Sequence, residues 1–257
     1  MKLKICVSDR CFFPKSALMG SKAVVSLAKS LGYEQVEFHP TWAVWWEILT
    51  KGRLSCQPKD ISSFHINWRE DRRNKGMSFV KGNFLVKHSW LFVFESMGLW
   101  TLKKLEERYQ KPVVVHWPED FDCYQHPIVE LQSFLGLNLK KIEEKLKKGR
   151  IKGVLIDTDK FTGWLKAEKE KEEKSLKRLF PHIREVHFRF GHKENLDPGP
   201  IKAKTKSASL MRRLVKMGYQ GKVVVEMGWP DPGSIEILKK LGFKKTHRRI
   251  IDFLENI

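Results

Sequence analysis

The chain has 257 residues, 41% of them hydrophobic, with 49 Lys and Arg against 30 Asp and Glu and a formal net charge of +19. That suffices for one large domain with a real core, and the positive excess favours polyanionic partners: nucleic acid, phosphorylated metabolites or acidic membrane surfaces. The longest apolar candidate is broken by Lys87, His88 and Glu95, so no transmembrane helix is expected; Cys6, Cys11, Cys56 and Cys123 form no CxxC pair, which points to a reduced, cytoplasmic setting and away from a Cys-rich zinc site.

The N-terminus, MKLKICVSDRC, lacks a long apolar leader region and reads as a first strand, Leu3–Ser8. Helical spacing follows over Lys22–Leu31 and stops at Gly32. Strands are predicted at Gln35–His39, Ser62–Asn67, Pro112–Trp117, Ile128–Leu131, Gly153–Thr158, Glu185–Phe190 and Lys222–Met227. Their Val, Ile and Phe content with little polar alternation suits strands covered on both faces. The segment Ile128–Leu131 follows its predecessor after a short loop and could equally begin a helix.

Helices are predicted over Phe84–Tyr109, Leu139–Lys148, Trp164–Phe180, Ser207–Met217, Ser234–Leu241 and Thr246–Glu255. The charge run KAEKEKEEKSLKRLF reads as the solvated face of one helix. Strand–helix units repeat without a linker, which predicts a parallel sheet. Eight of them at this length predict an α/β fold closed into a single-domain (β/α)8 TIM barrel over residues 1–257.

Titratable side chains close six of these runs: His65, His116, Glu130, Asp157, His187 and Glu226. Chemistry in such barrels sits at the C-terminal strand ends. Buried charge is costly unless paired or bound to metal, and O and N donors from separate strands suit a divalent cation. Taken singly, each could instead be a strand-end ion pair or a satisfied core histidine. His39 ends the second strand and is a candidate for the mouth; His88, His126, His182, His192 and His247 read as surface or loop residues.

The runs VHF, HKENLDPGPI and LMRRLVKMGYQGKVVVE resemble the last third of the xylose isomerase-like TIM barrels, which include endonuclease IV and the sugar isomerases and epimerases. GVLIDTDK resembles their sixth-strand LDTxH segment and VVVHWPED their fourth-strand HPG segment. The resemblance spans essentially the whole chain and is most specific from Gly153 to Glu226. It implies a metal held by Glu130, Asp157, His187 and Glu226, with Glu130 and Glu226 catalytic in proton transfer. By likeness to endonuclease IV it implies a second ion at His65, His116 and the bridging Glu130. The third-metal positions of that enzyme fall at Lys160, Gly191 and Lys193, which cannot ligate. Zn²⁺ or Mn²⁺, one or two ions, is the expected cofactor, with Lys160 and Lys193 on a substrate phosphate.

Tryptophans mark the mouth. Trp45 and Trp46 are expected to pack their loop onto the rim, Trp42 with them; Trp117 and Trp229 follow later strands. Trp68 lies three residues beyond His65, where the likeness to endonuclease IV implies an aromatic that enters damaged DNA. The loop WREDRRNKGMSFVKG supplies Arg69, Arg72, Arg73, Lys75 and Lys81; the loop after the seventh strand supplies Arg189, Lys193, Lys202, Lys204 and Lys206, stiffened by Asp197-Pro198-Gly199-Pro200. Trp68, Arg72, Arg73, Lys160, Arg189 and Lys193 are thus candidates for substrate and phosphate contact. Loops are polar in any case, so three readings stand. The first is a metal-dependent phosphodiesterase on nucleic acid, acting at abasic-like sites. The second is a sugar or sugar-phosphate isomerase or epimerase, with a phosphorylated sugar as partner. The third is a barrel that keeps its ligands without catalysis. Oligomeric state is not legible.

Overall fold

A computed structural model of the chain describes residues 3–12, 16, 18–66, 98–116, 122–133, 135–190, 206–227 and 242–257. Eight parallel strands close on themselves in chain order, β1 pairing with β8. They are β1 (Lys4–Ser8), β2 (Gln35–Phe38), β3 (Ile61–His65), β4 (Val113–Val115), β5 (Pro127–Glu130), β6 (Gly153–Asp157), β7 (Ile183–Phe190) and β8 (Lys222–Met227). The expected TIM barrel is therefore present, and the ambiguous fifth segment is a strand. It pairs with β4 through Val114↔Ile128 and with β6 through Glu130↔Leu155.

Outside the barrel lie α1 (Ser21–Ser30), α2 (Trp42–Lys51), α3 (98–109), α4 (Leu139–Lys147), α5 (Phe161–Ala167), α6 (Glu172–Leu179), α7 (Lys206–Lys216) and α8 (Phe243–Glu255). Local chemistry sets their ends. Thr41 and Asn138 accept hydrogen bonds from the first-turn N–H groups of Val44 and Lys141. Gly52 stops α2 in the left-handed conformation at φ 62°. No helix among the described residues is long and apolar enough to cross a membrane.

Two expectations are corrected. The charged stretch 161–180 is two helices: Lys169 takes φ 55° and separates α5 from α6, with Phe161, Trp164, Leu176 and Leu179 buried beneath the charges. The charges form the expected solvated face, now split over two helices, above these buried apolar side chains. His247, expected at the surface, is fully buried on the apolar face of α8 with Ile250, Ile251 and Leu254. Its Nδ1 lies 2.6 Å from the Tyr33 hydroxyl, and burial pushes it down to about 4. The part of the predicted helix before residue 98, and the whole of Ser234–Leu241, lie outside the described residues.

The main core lies between sheet and helices, where Val36, Phe38, Phe64, Val113, Val115, Ile156, Val186, Phe188 and Val225 meet helical Leu102, Leu105, Ile142, Leu176 and Leu214. Side chains alternate along a strand, so the residues between these point into the barrel. On β4–β6 the inward set is apolar, Val114, Ile128 and Leu155, a separate small cluster. On β2, β3 and β7 it is polar: Glu37, Ser63, His65, Glu185 and His187, all buried. Ser63 Oγ lies 3.1 Å from Glu185 Oε1 although β3 and β7 are four strands apart in the closed sheet. That contact can form only across the interior. The sheet is covered on both faces, as expected, but polar alternation is marked in these three strands.

Candidate functional site

Each expected ligand that closes a strand stands two residues above an inward side chain of its own strand and so shares its face: Val114 and His116, Ile128 and Glu130, Leu155 and Asp157, Glu185 and His187, Val224 and Glu226. Register then sets the level, with Asp157 beside His187 and Arg189 beside Glu226. His65, His116, Glu130, Asp157, His187 and Glu226 are all at least 98% buried.

Glu130 is the hub. Its Oε2 lies 2.6 Å from His116 Nε2 and 3.4 Å from His65 Nε2, and its Oε1 lies 2.9 Å from Lys160 Nζ. Burial alone would raise its pKa, but Lys160, His116 and His65 together hold it well below the carboxylate range. His65 is held neutral: burial lowers it more than Glu130 raises it, and its Nδ1–H donates to the Ile66 carbonyl at 2.9 Å. That leaves the Nε2 lone pair facing Glu130. Close as they are, neither Glu130 oxygen nor His65 Nε2 has a partner in hydrogen-bond geometry. Buried donors and acceptors are rarely left so, and lone pairs aimed at common space fit a divalent cation.

Three overlapping triads among the described residues bring donor atoms within 4.8 Å of one another: His65–His116–Glu130, Glu130–Asp157–His187 and Glu37–His65–His187. Five of the six expected ligands thus come together among these triads, and Glu226 adjoins them through His187 Nδ1 at 3.3 Å. The second triad, however, is already laced with cations. Arg189 Nε sits 3.0 Å from Asp157 Oδ2 and 3.2 Å from Glu226 Oε2, Lys160 Nζ is 3.9 Å from Asp157 Oδ2, and Arg10 reaches Glu226 Oε1 at 3.3 Å. Burial raises Asp157 against the pull of Arg189 and Lys160, while Glu226, for which burial is outweighed by Arg189 and His187, stays well below its usual value. His187 faces carboxylates at both ring nitrogens: Nδ1 to Glu226 at 3.3 Å, Nε2 to Glu37 at 3.1 Å and Glu185 at 3.3 Å. Burial is outweighed by Glu37, Glu185 and Glu226, which raise its pKa well above the usual value. The donor atoms of both His65–His116–Glu130 and Glu130–Asp157–His187 are close enough to hold an ion; Asp157 and Glu226 also face the Arg189 guanidinium.

Sequence reasoning missed several neighbours. Asp9 follows β1, and its Oδ1 accepts the His39 Nδ1–H at 2.6 Å while its Oδ2 accepts the His39 backbone N–H at 3.2 Å. Burial pushes Asp9 up to about 7 and, with Arg10, holds His39 well below its usual value. The His39 ring lies 4.8 Å from that of His65, tilted by 37°, and its Nε2 is buried without a hydrogen bond. Glu37 and Glu185 floor the site. Burial pushes Glu37 up to about 8, whereas Glu185, equally buried, is lowered by His187. The signal was present in the sequence as period-two rows, Glu37–His39 and Glu185–His187–Arg189.

Of the expected phosphate contacts, Lys160 and Arg189 point into the site but spend donors on its carboxylates. Trp68, Arg72, Arg73 and Lys193 lie outside the described residues, as do Trp117, Trp229, the 197–200 turn and the remaining basic loop residues except Lys206 at the start of α7. Trp46, expected to pack, is 53% exposed, because helical spacing turns Ala43, Val44, Glu47 and Ile48 inward.

No family model and no curated protein matches the chain by sequence. Solved structures match by shape. D-allulose 3-epimerase from Methylomonas sp., solved with D-allulose, covers 98% of this chain and 96% of its own at 12% identity and TM-score 0.50. A xylose isomerase domain containing protein from Salmonella typhimurium covers 99% and 98% at 15% and 0.49. The 3-keto-D-glucoside 4-epimerase from E. coli covers 95% and 100% at 15% and 0.48. At these identities the likeness is one of fold, a closed barrel of eight parallel strands.

Proposed function

We propose that this protein is an isomerase or epimerase of a small polyhydroxy carbonyl compound, a sugar or sugar phosphate. The observation that carries the reading is the alternation of fixed anions and cations in one buried throat: Glu130 against Lys160, and Glu226 against Arg189. Isomerisation beside a carbonyl needs a carboxylate to take a proton from carbon. It also needs a cation where the oxygen becomes an enediolate. Both carboxylates are held ionised by their partners, the state a base requires. A substrate oxygen that draws hydrogen bonds from Arg189 would loosen its hold on Glu226 and make that carboxylate more basic. Lys160 and Arg189 are also suited to an anionic substituent.

His65, His116 and Glu130 would hold a divalent ion, which when bound supplies Lewis-acid polarisation of a substrate oxygen. A ketohexose epimerase of the same fold is in keeping with this reading. The nucleic-acid reading rested mainly on the net charge and on the His65/His116 pair, with Trp68 and the basic loops in support; Trp68 and most of those loop residues lie outside the described residues. The test is exchange of substrate C–H with solvent deuterium, followed by NMR across a panel of ketoses, aldoses and their phosphates with added Mn²⁺. Exchange with at least one, abolished by Glu226→Gln, is expected. Absence of exchange across the panel, together with nicking of abasic-site DNA, would instead restore the nuclease reading.

A further inference from the structure

Which of the overlapping triads takes an ion is decided by what already stands among them. Asp157 and Glu226 come from β6 and β8, with β7 between them. Arg189 rises from β7 itself, and its guanidinium spans the gap, Nε 3.0 Å from Asp157 Oδ2 and NH2 3.2 Å from Glu226 Oε2. A guanidinium cannot be deprotonated in a protein and has no lone pair to offer a metal. It is a planar fork suited to bridging two carboxylates. Lys160 Nζ, 2.9 Å from Glu130 Oε1 and 3.9 Å from Asp157 Oδ2, borders both groups. An ion between Asp157 and Glu226 would have to displace the Arg189 guanidinium. His187, the remaining member, has carboxylate oxygens close to both ring nitrogens, Glu37 at 3.1 Å from Nε2 and Glu226 at 3.3 Å from Nδ1.

The histidine side has no guanidinium in it. Buried atoms without a hydrogen bond occur on both sides, Asp157 Oδ2 and His187 Nδ1 as well as His65 Nε2 and Glu130 Oε2, but only at His65 is the Nδ1–H committed to Ile66 O, which leaves the lone pair on Nε2. We propose that Arg189 is a built-in replacement for a metal ion: it occupies the position between Asp157 and Glu226, so that this barrel takes one divalent ion, at His65–His116–Glu130, and presents a fixed organic cation to substrate on the other side. A point charge that exchanges with solvent is thereby replaced by a directional donor. The site then prefers a planar anionic group, carboxylate or phosphate, over a bare pair of hydroxyls.

The inference builds on the metal reading of the histidine triad but is separable from it. Wild-type protein and variants are equilibrated with Mn²⁺ alone, and bound metal is counted by mass spectrometry after desalting, with circular dichroism to check folding. Wild type should carry one ion per chain. Arg189→Met, which keeps the stem and removes the charge, should gain one more than wild type. Asp157→Asn should leave the wild-type count unchanged, and His65→Ala should reduce it by one. If wild type binds none but Arg189→Met binds one, the histidine triad is not a metal site while the assignment of Arg189 stands. Two ions in wild type, a count unchanged by Arg189→Met, or loss of the wild-type ion in Asp157→Asn would overturn the assignment. Should Arg189→Met fail to fold, the Asp157→Asn and His65→Ala counts decide alone.

Discussion

Replacing Lys160 by Met removes an ammonium 2.9 Å from Glu130 Oε1 and 3.9 Å from Asp157 Oδ2 and keeps the aliphatic stem. At an effective dielectric of about 20 these contacts are worth about 6 and about 4 kcal/mol of gross attraction. Most of that offsets desolvation. Losing one partner of a buried pair typically costs about 3–5 kcal/mol, and Lys160, 24% exposed, should sit near the lower edge, about 2–3 kcal/mol. For a chain of this size that lowers Tm by about 5–10 °C. The assay is urea unfolding in EDTA of wild type, Lys160→Met, Glu130→Gln and the double variant. The double-mutant cycle should return a coupling of about 2–3 kcal/mol, because Glu130→Gln in turn strands Lys160. Additive single effects, within about 0.5 kcal/mol, would refute the pairing and with it the account of how Glu130 stays ionised.

Gly153→Ala should destabilise by about 1–3 kcal/mol in the same unfolding assay, since the new Cβ would lie 2.9 Å from the His182 carbonyl oxygen, which β7 holds in place. His247, lowered to about 4 by burial, favours the neutral form in the fold. Stability is therefore whole above pH 6.5 and falls by about 3 kcal/mol as pH drops towards 4, because the unfolded chain takes up the proton first. His247→Gln should flatten the unfolding midpoint between pH 7 and 4.5, and an unchanged slope would speak against the burial argument. If the Asp9-oriented His39 Nε2, buried without a hydrogen bond beside His65, contacts substrate, His39→Gln should slow deuterium exchange by about 10²-fold while leaving the Mn²⁺ count intact. Loss of metal with no loss of exchange would reverse that assignment.

The barrel was legible because parallel strands buried on both faces leave compact β-branched runs, such as Val113–Val115, between helical stretches. The six strand-end residues that gather in the throat were legible for the same reason: a carboxylate or imidazole at the end of such a run has few cheap environments. Their partners were harder to find. Asp9, Arg10, Glu37 and Glu185 matter only through contacts with strands far away in sequence, as in Arg10 to Glu226. Polar residues at every second position of VEFH and EVHFR held the clue, but a parallel strand covered on both faces raises the expectation of apolar side chains throughout. The α5–α6 break was hidden because a Lys/Glu run has helical propensity at every residue, so the left-handed Lys169 leaves no local mark. Arg189 was read as a phosphate contact from its place beside a loop. Its grip on Asp157 and Glu226 follows from register, which places Arg189 opposite Glu226.

Anomalous X-ray scattering from crystals soaked in Mn²⁺ is the most direct test that separate strands converge on one divalent ion. A single strong peak bonded to His65 Nε2, His116 and Glu130, with the Arg189 guanidinium still bridging Asp157 and Glu226, is the predicted result. A peak seated between Asp157 and Glu226, or none in the throat at all, would contradict it.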